Sequence, residues 1–266
     1  MQTPFDKIAP VYDELFTNTA IGKLQRNIVR KYLDETLPAN QRISILELNC
    51  GTGEDAVYFA KKGFDILATD VSDDMLKLTK EKISKNGLEL NCSIIKIDLT
   101  NLSDFNFEQK FDLVFSNFGG LNCVDNKSLK SLSEALPSIL NDRGRIIFII
   151  MPKFCLWESF YFLLILKFSN VFRRASIKPL NVQLNGGNVR TFYYSPKEIA
   201  NIFSNKFKVQ YIKPVGFFIP PSFLNNFFLK KKKLLRMLNT LENPISNISF
   251  LANFSDHFII DMALRE

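Results

Sequence analysis

The seven residues Glu47-Leu48-Asn49-Cys50-Gly51-Thr52-Gly53 constrain this chain more than any other stretch. They follow the largely apolar run 43–46 and precede a helix-like stretch from Glu54 to Lys62. A strand, a glycine turn and a helix in that order make a tight connection. Its backbone visits angles that side chains forbid, and it leaves main-chain N–H groups bare at a helix N-terminus, where a ligand can approach closely. The acid at Glu47 separates two ligand classes. A carboxylate beside the loop repels a pyrophosphate, which a dinucleotide fold seats against the helix dipole, and attracts a ligand carrying an amine.

The next strands end in matching signals. Phe64 to Thr69 reads as a second strand closing on Asp70, about 20 residues past the glycine turn, where an acid can accept both hydroxyls of a ribose. A third strand, Ser93 to Ile97, ends in Asp98-Leu99, and a fourth, Phe111 to Phe115, ends in Ser116-Asn117-Phe118-Gly119-Gly120. Ligands of open α/β sheets gather at the carboxyl ends of the strands, so four polar or glycine-bearing ends describe one site. On these residues the chain resembles the class I S-adenosylmethionine-dependent methyltransferases of the small-molecule branch, and a sulfonium cofactor with an α-amino group suits Glu47 better than NAD does.

The resemblance implies roles residue by residue. Glu47, Gly51 and Gly53, with Asn49 in the first glycine position, hold the methionine part of S-adenosylmethionine or of its product S-adenosylhomocysteine. Asp70 holds the ribose, with Val71 and Met75 beside the adenine. Asp98 reaches the adenine amino group with Leu99 next to it, and Asn117, Phe118 and Gly119 flank cofactor and substrate. The opening Phe5-Asp6-Lys7-Ile8-Ala9-Pro10-Val11-Tyr12-Asp13 is similar to the leading helix of small-molecule members, which makes Tyr12 a cover for the cofactor. Asn49 departs from the family's glycine. Asparagine is the non-glycine residue that best tolerates a left-handed backbone, so the turn is expected to survive.

The order of elements predicts an α/β, Rossmann-like seven-stranded sheet, mostly parallel with an antiparallel last strand, and helices on both faces. The fifth strand is Arg145 to Met151 after the turn Asn141 to Gly144. The sixth is Lys208 to Pro214 after a helix from Pro196 to Phe203, and the seventh is His257 to Leu264. This arrangement makes 1–266 one methyltransferase domain, with N-terminal helices in 1–40 and the cofactor-binding half in 41–152. A mainly helical lid is inserted after strands 5 and 6, as 153–194 and 215–255. At 266 residues the chain slightly exceeds what one three-layer sheet requires. Cys50, Cys92, Cys123 and Cys155 lie far apart with no CxxC pair, so buried free thiols are expected rather than a metal site or disulfide framework. The absence of a signal-peptide core and of a run of ~18 apolar residues points to a cytoplasmic protein.

Charge is uneven. Residues 153–236 hold 15 Lys plus Arg against only Glu158 and Glu198, a net of +13, while the rest of the chain nets −6. That basic segment also carries a very apolar helix from Trp157 to Phe168 and an aromatic cluster, Phe217 to Leu229, that runs into Lys230-Lys231-Lys232-Lys233. Basic residues interleaved with large apolar ones suit a membrane surface, a nucleic-acid groove, or a pocket for an apolar acidic substrate. A solvated lysine face beside a core helix is the plainer alternative.

The loop after the fourth strand lacks the prolines by which many methyltransferases of bases hold a flat amino group. The reading is therefore transfer to an apolar or aromatic small molecule, lipid-like or polyketide-like, with no nucleic acid as partner. Peripheral contact with an anionic membrane through Lys230 to Lys233 is compatible with this. His257, in Ser255-Asp256-His257, is the candidate general base, with Tyr193 and Glu158 as further candidates and Arg173, Arg174 or Arg190 as clamps for an acidic substrate group. Two other readings stay open. One is an RNA or protein methyltransferase docking through the basic lid. The other is a non-catalytic adapter that keeps the fold and lacks the cofactor.

Overall fold

Seven short β-branched and aliphatic runs pair into one sheet in the computed structural model, which describes residues 3–39, 41–184 and 187–265. The strands are β1 (Ser44–Leu48), β2 (Asp65–Asp70), β3 (Cys92–Lys96), β4 (Phe111–Ser116), β5 (Leu140–Ile150), β8 (Phe207–Val215) and β9 (His257–Leu264). Their spatial order is β3-β2-β1-β4-β5-β9-β8. β1 to β5 run parallel and β9 lies antiparallel between β5 and β8. β1 and β4, at the centre, are covered on both faces, which is why each reads as a nearly continuous apolar run.

Helices cover the two faces: α2 (Ala20–Thr36), α3 (Glu54–Lys61), α4 (Asp73–Lys85), α5 (Asn126–Ile139) and α7 (Pro196–Phe203). One apolar layer gathers Leu129, Leu132 and Leu136 of α5 with Ile199 and Phe203 of α7 over Ile146, Phe148 and Ile260. The other sets Val29 and Leu33 of α2 and Phe59 of α3 against Ile45, Phe115, Ile147 and Ile259. The alternation along β5 and β9 feeds both layers, so the order of strands follows from which face each apolar residue must leave water for.

The first helix, α1 (Pro4–Tyr12), is held by a capping box between Thr3 and Asp6 and passes into a π-helical turn, Asp13–Thr17. It does not pack on the sheet. Ile8 and Ala9 bury against Met75 of α4, so the amino-terminal segment lies across the carboxyl ends of β1 and β2.

The two insertions differ from expectation in detail. After β5 come α6 (Leu156–Leu164) and then a hairpin of β6 (Leu180–Leu184) and β7 (Gly187–Thr191), so this part of the lid is not purely helical. α6 stops at Leu164 rather than Phe168, because Leu166 adopts a left-handed φ of 57° and turns the chain. After β8 come α8 (Asn225–Leu229) and α9 (Lys232–Ile245), the second of which begins inside the lysine run. β5 also starts earlier than expected, at Leu140, with Arg143 at φ 66° marking the irregularity that the Asn141–Gly144 signal announced. Among the described residues no helix is long and apolar enough to cross a membrane. Cys50, Cys92 and Cys155 are buried free thiols, and Cys123 is half-buried.

Candidate functional site

β1 brings Glu47 near its carboxyl end, and the chain then turns through Asn49 (φ 54°), Gly51 (φ 55°) and Gly53 (φ 75°) into α3. Asn49 takes the left-handed conformation that a glycine takes without strain. Gly53 has a second constraint, since a Cβ there would stand 2.6 Å from Thr79 Cγ2 of α4. The turn is tied to its neighbours by side chains. Gly51 N–H donates to Asp70 Oδ2 at 2.9 Å, Thr79 Oγ1 donates to Gly51 O at 2.8 Å, and Ser116 Oγ donates to Asn49 Oδ1 at 3.1 Å.

Three acids crowd this turn. Glu47 is 2% exposed, and its Oε2 is a buried oxygen with no hydrogen-bond partner. Burial, and then the nearby charges of Asp55 and Asp70, push its carboxyl well above the usual range, against the opposing pull of Arg26. Asp70 is also raised by burial, although Ser72 N–H and Gly51 N–H donate to it. Asp55 goes the other way: burial would raise it, but its ion pair with Arg26 prevails and holds it low. A buried carboxylate oxygen without a donor, at the start of the glycine turn, fits the ammonium of a bound amino-acid moiety.

The amino-terminal segment closes over these loops. Thr52 Oγ1 donates to Asp13 Oδ1 at 2.6 Å and Lys82 Nζ pairs with Asp13 at 2.6 Å, while Ser72 Oγ donates to Asp6 Oδ1 at 2.5 Å. Tyr12, between these tethers, is pushed up to about 12 by burial. Met75 lies under α1, Val71 is half-buried, and Asp98 is exposed and caps its own turn through Thr100 N–H, with Leu99 buried behind it.

Beyond the glycine turn opens a cavity of about 590 Å³. Its walls come from the amino-terminal segment (Tyr12, Phe16), α2 (Gln25, Arg26), the loop after β4 (Phe118, Gly119), α6 (Tyr161, Phe162), the hairpin (Val182, Val189), Tyr193 and Phe223. Asn117 stands at the junction, donating to Asp55 Oδ2 at 2.8 Å and accepting from Phe118 N–H at 2.9 Å. His257, the first residue of β9, lines the same cavity edge-on to Phe118, with ring centroids 5.2 Å apart. Its Nδ1 lies 3.3 Å from Asp256 Oδ2, off the line of a hydrogen bond in this rotamer.

Asp256 belongs to a buried ionic chain. Arg174 Nη2 donates to Asp256 Oδ1 at 2.8 Å and pairs with Glu158 Oε2 at 3.0 Å, Arg173 Nε donates to Glu158 Oε1 at 2.7 Å, and Gln25 Nε2 donates to Asp256 Oδ2 at 3.0 Å. Burial alone would raise Asp256, but His257 and Arg174 outweigh it and hold the carboxyl well below its ordinary value. Glu158 is thereby corrected as a candidate base: both its oxygens are taken by guanidinium donors, so it fixes the arginines instead. Tyr193 packs under Arg174, 5.2 Å from its guanidinium carbon, and burial raises its phenol. Arg190 lies over Phe192 and does not line the cavity, which leaves Arg173 and Arg174 as the arginines of the proposed clamp that do.

Arg26 and Asn122 are among the residues at the site that escaped the sequence reading, with Asp55 and Gln25. Arg26 lines the cavity, pairs with Asp55 and lies 4.9 Å over Phe118. Asn122, fully buried, donates to Met151 O and Phe192 O and accepts from Met151 N–H, so it joins the β4 loop, the end of β5 and the end of the hairpin segment. A polar residue in the apolar run Leu121 to Val124 was the only signal for it.

Comparison with known proteins agrees with this geometry. Residues 45–144 match the family model described as a methyltransferase domain. The chain is 27% identical over 157 residues to a putative methyltransferase, YqeM, of Bacillus subtilis, with 59% of each chain covered. It is 30% identical over 135 residues to a demethylmenaquinone methyltransferase of Bacteroides fragilis, covering 50% of this chain and 54% of that one. The chain thus spans little more than half the length of these curated relatives. Among solved structures, the CcbJ methyltransferase of Streptomyces caelestis superposes with a TM-score of 0.63 at 14% identity, over 100% of this chain and 99% of that one. Residues 45–144, which carry the glycine turn and the strands around it, are thus similar to a methyltransferase domain, and the solved methyltransferase structure shows the same fold over the rest of the chain.

Proposed function

We propose that the protein transfers the methyl group of S-adenosylmethionine to an apolar or aromatic small molecule held in the 590 Å³ cavity. The observation that carries the reading is the join of two halves. An acid-bearing glycine turn with an unpartnered buried oxygen on Glu47 is linked, through Asn117 on Asp55 and the Phe118–Gly119 loop that follows it, to a chamber walled by aromatic side chains. Among the matched relatives are a demethylmenaquinone methyltransferase and a malonyl-[acyl-carrier protein] O-methyltransferase, which supports a small acceptor.

When bound, the cofactor supplies an electrophilic methyl group on a sulfonium. Glu47, with its unpartnered buried oxygen, would hold its amino-acid end and Asp70 its ribose. Tyr12 and α1 cover it from solvent, since they are fastened to Thr52 and Ser72. In-line displacement asks the protein chiefly to align the nucleophile and exclude water, which the aromatic walls do. His257 takes the proton of a hydroxyl acceptor, with Asp256 fixed behind its Nδ1 by Arg174 and Gln25.

The test is a calorimetric titration with S-adenosylhomocysteine, with Glu47→Ala and Asp70→Ala as controls. Micromolar affinity, about −8 kcal/mol, that both substitutions abolish is the expected result. Absence of binding by the unaltered chain would sink the reading in favour of an adapter.

A further inference from the structure

α6 is built inside out. Leu156, Phe160, Leu163 and Leu164, spaced i, i+4, i+7 and i+8, fall on one helical face, and that face points to solvent, with Phe160 55% and Leu164 65% exposed. The charged residue of the helix, Glu158, is on the buried side, 3% exposed and bound to Arg173 and Arg174. An ordinary surface helix shows the opposite pattern. The neighbouring segments extend the apolar face: Phe168 and Phe172 follow α6, and Phe223 and Phe227 adjoin it through the contact of Tyr161 with Phe223, whose centroids are 5.3 Å apart. A contiguous patch of this kind on a soluble chain marks a binding surface.

The rim of the patch identifies its partner. Lys230 to Lys233 are exposed and, among the described residues, make no ion pair, and Lys231 Nζ sits 4.3 Å over the ring of Phe227. A band of large aliphatic and aromatic side chains bordered by unpaired lysines has the chemistry of an interfacial element on an anionic bilayer: hydrocarbon enters the acyl boundary while ammonium groups meet lipid phosphates. With no spanning helix among the described residues, the chain lies on such a surface and does not cross it.

We infer that the protein docks on anionic membranes through the outer face of α6 and the Phe223–Phe227 segment, with Lys230 to Lys233 as its electrostatic anchor. Phe223, on the docking face, and Tyr161 beside it also line the cavity, so the docking face adjoins the cavity. The inference stands apart from the methyl-transfer reading, because membrane binding is measured without cofactor or acceptor, and cofactor binding without membrane.

The experiment is sedimentation of the full chain with large unilamellar vesicles. Phosphatidylglycerol mixed equally with phosphatidylcholine is compared with phosphatidylcholine alone, at low and at 0.5 M salt. Binding to the anionic vesicles that salt reverses is expected. Replacing Lys230 to Lys233 with glutamine lowers the partition coefficient roughly 100-fold or more at low salt. Phe160→Ser with Leu164→Ser also releases the protein, and unchanged melting temperature and S-adenosylhomocysteine affinity show that these variants remain folded. Sedimentation no greater with anionic than with neutral vesicles overturns the inference. So does a stable dimer in light scattering that Phe160→Ser with Leu164→Ser dissociates, since a second copy then covers the face.

Discussion

Asn49 and Gly120 fit together as a pair: a Cβ on Gly120 would stand 2.5 Å from Cγ of Asn49 and 2.7 Å from its Oδ1. The side chain that Asn49 brings into the turn after β1 is housed in the space that Gly120 leaves after β4, and Ser116 Oγ holds it there. The turn keeps its left-handed backbone, and the extra atoms are directed toward the neighbouring strand end. Gly120→Ala is therefore expected to cost ~1–3 kcal/mol by overpacking, and the Asn49→Gly background is expected to return most of that loss. A double-mutant cycle from urea denaturation measures the coupling, and additive effects would contradict the pairing.

Glu47 gives a pH signature. Its carboxyl is raised by burial and by Asp55 and Asp70, so in the ligand-free protein it keeps its proton above the ordinary carboxyl range. An ammonium-bearing ligand binds the deprotonated form, so binding releases a proton. Affinity for S-adenosylhomocysteine then rises with pH, by about tenfold per unit at most, and levels off above the raised value. Across the same window the free fold holds more protons at Glu47 than the unfolded chain does, so this group's contribution to stability falls as pH climbs. Calorimetry in buffers of different ionisation enthalpy detects the proton, and Glu47→Gln removes it.

Arg174 carries the ionic chain between the first insertion and the start of β9. Arg174→Met leaves Glu158 and Asp256 buried beside each other with fewer cations, and a loss of ~3–5 kcal/mol is expected. Chemical denaturation of the variant measures it. A loss below 1 kcal/mol would mean that Arg173 and His257 suffice to neutralise the two acids.

His257→Ala is expected to lower kcat ~10²–10⁴-fold with a hydroxyl acceptor and to leave the affinity for S-adenosylhomocysteine unchanged. Single-turnover kinetics alongside calorimetry separate the two effects. Equal loss of cofactor affinity would assign the histidine to the architecture of the strand end.

The first four strands were legible because each ends in a residue whose type is tied to the turn it makes. Glu47 and the glycines at 51 and 53 lie within seven residues, and Asp70 follows after only α3 and β2, so local spacing carries the geometry. Cavity walls are assembled from segments spread from the amino-terminal helix to β9, and no local pattern announces that Arg26 faces Phe118. The hairpin β6–β7 was visible in principle, since Asn185-Gly186 between two short alternating runs is a hairpin turn signal; those two residues lie outside the described ones. The helix from Trp157 was misjudged in length because apolarity continues to Phe168 while the backbone turns at Leu166. Its apolar pattern reads the same whether the face is turned in or out.

β9 enters the sheet at His257 and runs away from the site, paired with Val215 of β8 at its first residue and, from Phe258 onward, with β5 as well. Its reversed direction puts the histidine on the last rung of a ladder rather than on a connecting loop. The imidazole's backbone is therefore paired into the scaffold, with Ser255 and Arg174 bracing the strand's start. A lineage carrying this arrangement can recut the chamber for a new acceptor, residue by residue, while the imidazole stays where it is.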